Sequence, residues 1–272
     1  MNRNILDNKK KIVYIILTIF FIICGSVCIV LYAKDSFDKD EEQDKYDNMA
    51  TMTKPLETTK EPETSTEPAY NPLAGIPVEE KNLDWNAIKA ENEDIYAWIY
   101  IPGTKVDYPI LQHPTDDSYY LDHNIDGSKG LPGTIFSQSL NSKDFTDPNT
   151  VLYGHNMKNG SMFASLHNFE DNVFFDENMY IYIYTPEKTY VYKIFAAYNF
   201  NNKHLLYEYD CSTKEKYEYY LSVINNVRDM TARRREDVKV TTDDCILTLS
   251  TCLKNSDDTK RYLVQGVLLG TK

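Results

Sequence analysis

Hydrophobic and polar positions divide the chain into three stretches of different character. Residues 12–33, IVYIILTIFFIICGSVCIVLYA, form an uncharged run of 22 residues with no polar face. A helix needs roughly 20 such residues to span a bilayer, so one membrane crossing is expected here. Residues 34–83 are the opposite: polar, rich in Thr, Pro and Glu, as in TMTKPLETTKEPETSTEPAYNP, with few apolar side chains to bury. Such a segment cannot offset its ordering entropy, and the reading is a disordered stalk, kept extended by its Pro and Thr content. From 84 onward apolar positions return in short alternating runs, which mark a folded domain over 84–272.

Within that domain the periodicity favours strands. AWIYIPGTKVDYPIL (97–111) reads as two β segments around the turn Pro102-Gly103. Further strands are expected at 133–136, 150–154, 179–185, 189–198, 245–252 and 261–269, several of them rich in Tyr, Val and Ile. Pro186-Glu187-Lys188 makes a hairpin of the pair 179–185 and 189–198. Helices are fewer. Asp84 can cap a short one with Trp85 and Ile88 on one face, and 161–166 suggests another. A longer helix opens with a capping box, Ser212-Thr213-Lys214-Glu215, and continues with Tyr217, Tyr220, Leu221, Ile224 and Val227 at three- and four-residue steps. It needs a sheet to lie on. The fold class expected is mainly β with added helices, most simply a barrel.

Charge and cysteine usage refine this picture. Lys9, Lys10 and Lys11 precede the apolar run and DSFDKDEEQDKYD follows it, so residues 1–11 are expected in the cytoplasm and the domain outside. The exit Leu31-Tyr32-Ala33 lacks a small-x-small cleavage site, which favours an uncleaved signal-anchor over 12–33. Bulky Ile23 and Val27 before Cys24 and Cys28 argue against a lipoprotein. The formal charge of −12 lies largely in the tether: residues 35–84 carry −9, residues 1–34 carry +4 and the remainder −7. A solvated linker explains it. No nucleic-acid partner is expected, because the basic cluster Arg233-Arg234-Arg235 is short and followed by Glu236 and Asp237. Of the five cysteines, Cys211, Cys245 and Cys252 lie beyond the span. Cys211 and Cys245 can pair, though their spacing is no evidence for it, and an odd cysteine outside the membrane points to intermolecular pairing or a reactive thiol.

Candidate chemistry centres on Cys252. Strand alternation sets Ile246, Thr248, Ser250 and Cys252 on one face and Cys245, Leu247, Leu249 and Thr251 on the other. On pattern alone a strand-end Cys is more often a small buried hydrophobe than a nucleophile. The polar loop LKNSDDTK (253–260) joins two strands, however, and antiparallel pairing would set Arg261 beside Cys252. A guanidinium there would favour the thiolate and donate to a developing oxyanion. A base or acid is also required. His113 precedes Pro114 in a loop, His167 follows the short helix and His204 lies in the polar stretch NNKHLL, which leaves His155 and His123. His155 leaves the strand TVLYG at a glycine-permitted turn, where side chains can project over a site; spacing does not show that it reaches Cys252. No His or Cys cluster has metal-ligand spacing, and no cofactor is expected.

These residues carry a resemblance. TLSTC (248–252) followed by Arg261 resembles the sortase signature, in which the catalytic histidine lies upstream after a strand. YGHNM (153–157), GSMFASL (160–166), WIYIPGTKVDYPILQ (98–112) and YYLDHN (119–124) resemble class B sortases in particular, as do the helix from Asp84 and the long helix before TLSTC. The likeness covers nearly all of 84–272 with the motifs in the family's order. It implies a closed sortase-like β-barrel and a membrane-anchored extracellular cysteine transpeptidase. By the same resemblance Cys252 is the nucleophile attacking a threonine carbonyl in a C-terminal sorting signal, His155 the general acid and base, and Arg261 the group that orients the signal and stabilises the oxyanion. Ser250 and Leu121 are weaker substrate-binding candidates, with packing the alternative for Leu121. The implied partners are secreted proteins carrying such a signal, an amine of a peptidoglycan precursor and the cell membrane. A pilin polymerase, a thiol peptidase without transfer and a wall-binding module with an inert Cys252 are the competing readings.

Overall fold

The uncharged run lies within a helix, α1 (Arg3–Ala50), of a computed structural model that describes residues 3–53, 72–253 and 259–272. Among the described residues α1 is the one helix long and apolar enough to cross a membrane. Its apolar side chains are exposed, Phe20, Ile22 and Val30 among them, as lipid contact requires. The chain divides into two compact units, Met1–Lys45 and Tyr46–Lys272.

The second unit begins well before 84, and here the expected stalk takes a different form. Residues 34–50 are helical. Tyr46 and Met49, three residues apart on one helical face, are buried at 1% and 2% exposure. Tyr46 packs edge-on against Tyr108 with ring centroids 5.5 Å apart and donates to the Gly133 carbonyl at 2.8 Å. Leu73 and Leu83 are also buried, and Thr53 bridges to Leu83. Composition hid these few apolar anchors among polar neighbours. Residues 54–71 of the expected stalk lie outside the described residues.

Asp84 caps α2 (Trp85–Glu91) through its carboxylate, which accepts from the Asn86 and Ala87 amides, and Ile88 is fully buried. Among the described residues nine strands follow: β1 (Ile95–Tyr100), β2 (Asp107–Leu111), β3 (Ile135–Phe136), β4 (Asn149–Tyr153), β5 (Tyr180–Tyr184), β6 (Thr189–Asn201), β7 (Arg233–Arg234), β8 (Ile246–Cys252) and β9 (Lys260–Thr271). Eight close into a barrel in the order β5-β1-β2-β3-β4-β8-β9-β6, with β5 pairing back onto β6 and β7 added at the β6 edge. Closure leaves the barrel strands no open edge. β2–β3 and β4–β8 are parallel and the other pairs antiparallel. The expected hairpin is β5–β6.

β8 is buried on both faces. Leu247 and Leu249 enter the main core with Leu152 and Val264, while Ile246 joins a second cluster under α5 (Lys214–Asn225). That helix buries Tyr217, Tyr220, Leu221 and Ile224, each of which contributes about 1.5–3 kcal/mol. Gln265, fully buried between helix and sheet, donates to Tyr220 at 3.0 Å and Thr248 at 2.8 Å and accepts from Tyr198 at 2.6 Å. The cap of α5 is Thr213, inside the expected box, because the Ser212 amide is drawn to Asp210 at 2.7 Å.

Smaller elements depart further from expectation. The expected short helix at 161–166 is a 3-10 helix spanning Ala164–Glu170. Its start is displaced because the Met162 amide donates to the Tyr108 hydroxyl and the Phe163 amide to the His155 carbonyl. α3 (Asn172–Glu177), α4 (Leu205–Glu208) and β7 carry too few residues to show periodicity. The Arg233-Arg234-Arg235 cluster is spent on backbone: the guanidiniums donate to the carbonyls of Glu170, Ile224 and Phe175. The last two lie in the final turns of α5 and α3, where carbonyls lack helical partners.

Candidate active site

Three neighbouring strands bring the sequence candidates to one end of the barrel. In the β8–β9 pair Cys252 stands opposite Arg261, the arrangement expected of strands joined by a short loop; most of that loop, 254–258, lies outside the described residues. β4 runs parallel to β8 with Tyr153 opposite Ser250, and the Gly154 amide donates to the Ser250 carbonyl at 3.2 Å. β4 ends at Tyr153, and His155 lies in the turn that follows it, two residues on, as Cys252 lies two residues beyond Ser250 at the end of β8. The Asn156 side-chain amide donates to the Cys252 carbonyl at 3.2 Å, which ties the turn after β4 to the end of β8.

His155 is held from its other side. Its Nε2 donates to the Leu121 carbonyl at 2.6 Å, which assigns the proton of the neutral ring to Nε2 and turns Nδ1 away from that carbonyl. Two glycines allow this approach. A Cβ on Gly154 would stand 2.5 Å from Ile135 Cδ1 and 2.8 Å from the Phe163 ring. Gly133 has φ +66°, and its Cβ would meet the carbonyl oxygens of Tyr120 at 2.8 Å and Leu121 at 3.0 Å.

Beside these residues lies a groove of about 270 Å³ whose lining includes Leu121, Phe136, Tyr153, Ser250, Arg261 and Leu263. Arg261 is thus shared between the groove and the cross-strand pair with Cys252. Ser250 is buried at 6% exposure, whereas Leu121 remains 49% exposed, more than a packing residue requires. Polar groups in the lining include Gln138 and Asn201. The Tyr153 hydroxyl and Gln138 Oε1 are buried with no hydrogen-bond partner among the described residues. Burial pushes the Tyr153 phenol well above its ordinary range, so it is a neutral donor in the groove. An extended polypeptide, with a donor and an acceptor at every residue, suits such a lining.

The remaining histidines and cysteines are placed otherwise. His123 bonds to the Tyr119 carbonyl at 2.8 Å and stacks on the Tyr119 ring at 3.9 Å, within its own loop. His113 stacks on the opposite side of Tyr119's neighbourhood at 4.3 Å, and His204 lines the groove. Burial lowers the His204 pKa. Cys211 and Cys245 are free thiols; burial pushes Cys211 up to about 12 and raises Cys245 as well, which disfavours the thiolate at both. Among the described residues no group of three or more His, Cys, Asp and Glu side chains could hold a metal ion. Sequence reasoning passed over Asn156 and the pair of a buried His167 with a half-buried Glu170, although the i, i+3 spacing of that pair was visible in the chain.

Comparison with known proteins follows the same lines. Residues 99–269 match the sortase domain family model. The chain is 37% identical to sortase B of Listeria monocytogenes over 179 residues, 65% of this chain and 71% of that one. Its structure is similar to that of Clostridium perfringens sortase B, with a TM-score of 0.60 and 34% identity over 67% of this chain and 98% of the other. A class B sortase of Streptococcus pyogenes involved in pilus biogenesis is similar at a TM-score of 0.59 and 27% identity, covering 70% and 100% of the respective chains.

Proposed function

Since the chain belongs to the sortase family and is a cysteine transpeptidase of the sortase B type, we propose that Cys252, His155 and Arg261 perform its acyl transfer at the membrane surface. The observation that carries this is the convergence at one barrel end: Cys252 opposite Arg261, and Cys252 tied through its carbonyl to the residue after His155.

The chemistry follows from the groups. Nδ1 of His155 takes the proton of the Cys252 thiol, the resulting thiolate attacks the carbonyl of a threonine in a C-terminal sorting signal lying along the groove, and the carbonyl electrons move onto oxygen. Arg261 donates to that oxyanion as it forms. On collapse the amide C–N bond breaks, the departing amine takes a proton from His155, and a thioester to Cys252 remains. An amine of a peptidoglycan precursor then attacks the thioester, gives its proton to His155 and leaves with the acyl group as a new amide. Because Nε2 is occupied by the Leu121 carbonyl, Nδ1 is the nitrogen that exchanges the proton. Ser250 and Leu121 contact the signal in the groove.

Replacement Cys252→Ala is expected to abolish thioester capture of a sorting peptide while leaving the melting temperature within a degree or two. Turnover that survives the substitution would defeat the reading. Mass spectrometry of the product amide identifies the acceptor: a cross-bridge or stem-peptide amine supports wall anchoring, a lysine side chain of another subunit supports pilin polymerisation, and failure of added amine to divert product from acid to amide indicates a thiol peptidase.

The same reading places residues 1–11 in the cytoplasm, 12–33 in the bilayer and the catalytic domain outside. Support comes from the basic residues before the apolar run and the acidic ones after it. In intact cells externally added protease should digest the catalytic domain and spare an epitope at the N-terminus. Protection of the domain would reverse the orientation.

A further inference from the structure

We infer that His167, braced by Glu170, is a positioning residue that sets the end of β8 for the reaction at Cys252, an inference that rests on the role proposed for that thiol. The imidazole is almost wholly buried, with 1% of its side chain exposed. One ring nitrogen, Nδ1, lies 2.5 Å from Glu170 Oε1, and the other, Nε2, lies 2.9 Å from the carbonyl oxygen of Cys252 itself. The Asn156 side-chain amide lies 3.2 Å from the same Nε2. The Asn156 amide reaches the same carbonyl at 3.2 Å. One face of the ring stacks on Tyr262 at 4.6 Å between centroids, with 21° between planes, and Tyr262 adjoins Arg261 in β9. The backbone of Glu170 is held in turn, since its carbonyl accepts from the Arg233 guanidinium.

His167 therefore touches the peptide of Cys252, the residue after His155 and the residue after Arg261. One peptide carbonyl from β8 and two side chains, one following β4 and one from β9, meet at one buried ring. Neither Cys252 nor any other residue of β8 can shift along the strand without breaking the bond to Nε2. The ring and the Asn156 amide both reach the Cys252 carbonyl, so together they resist rotation of that peptide. A displacement of about 1 Å at a reacting atom is worth up to a hundredfold in rate, which is the scale on which such a brace acts.

The test uses the full-length enzyme and three readouts: kcat and KM for a sorting peptide, the rate of Cys252 alkylation by iodoacetamide, and the melting temperature. Glu170→Gln keeps the size and a hydrogen bond but removes the charge; His167→Gln keeps one donor toward Cys252. Both variants should lower kcat about tenfold or more, change KM less than about threefold and slow alkylation of Cys252, with His167→Gln the more severe. The inference is overturned if wild-type turnover depends on Cys252 while both variants match wild type in kcat and alkylation rate. It is equally overturned if they lower only the melting temperature, because His167 is then merely a core residue. Should Cys252→Ala leave turnover unchanged, the proposed nucleophile fails first and the positioning role with it.

Discussion

At the scale of single residues, the site depends on groups whose chemistry differs although their sequence signals were similar. The three cysteines beyond the span look alike in composition, yet burial disfavours ionisation at Cys211 and Cys245, while Cys252 alone stands opposite a guanidinium. The proposed role of Arg261 rests on planar, two-pronged donation, which a lysine ammonium cannot reproduce. Arg261→Lys should therefore lower kcat about a hundredfold with the fold unchanged by circular dichroism, and near-normal rates would remove the oxyanion role. The Cys252–Arg261 pair was legible in the chain because a short loop between two strands dictates which residues face each other. The histidine was less so. Spacing left both His155 and His123 in view, and the strand-end position and the resemblance favoured His155; in the structure His123 is occupied against Tyr119 and His155 is held at the Leu121 carbonyl.

At the scale of elements, the site is built where strand ends meet a turn. The 3-10 turn Tyr119–Leu121 supplies the carbonyl that holds His155, and Gly133, just before β3, lets that turn approach the barrel. Gly133→Ala adds a methyl against two carbonyl oxygens at a positive φ, which should cost about 1–3 kcal/mol and move the Leu121 carbonyl away from the imidazole. Both the melting temperature and kcat should fall; a variant with wild-type kcat would show that the Leu121 contact does not matter for turnover. Strand positions were well marked in the sequence because a half-buried pleat imposes a period of two within a handful of residues. β6 proved longer than its pattern, running to Asn201, since its continuation pairs with β9 as far as Lys260. The shift from an expected helix at 161–166 to a 3-10 turn at Ala164–Glu170 has a tertiary cause, the capture of backbone amides by Tyr108 and His155.

At the scale of the whole molecule, the folded unit starts at Tyr46, so the segment between the apolar run and the barrel is partly structural. Chains beginning at 84 lose the buried side chains of Tyr46, Met49, Leu73 and Leu83 and should melt well below chains beginning at 46. A deficit of a few kcal/mol corresponds to roughly 2–4 °C for each kcal/mol in a domain of this size. Equal melting temperatures would return the boundary to 84. By itself the chain determined the apolar run, the strand-rich domain, the β8–β9 pairing and, through its motifs, the family. Each of these is encoded by neighbours within one or two elements. Tertiary structure alone decided where the groove lies, how Asn156 is tied to Cys252 and how His167 meets Cys252. Those contacts depend on barrel closure and on the parallel β4–β8 pairing, which joins residues 97 positions apart, and no local periodicity records a contact of that range.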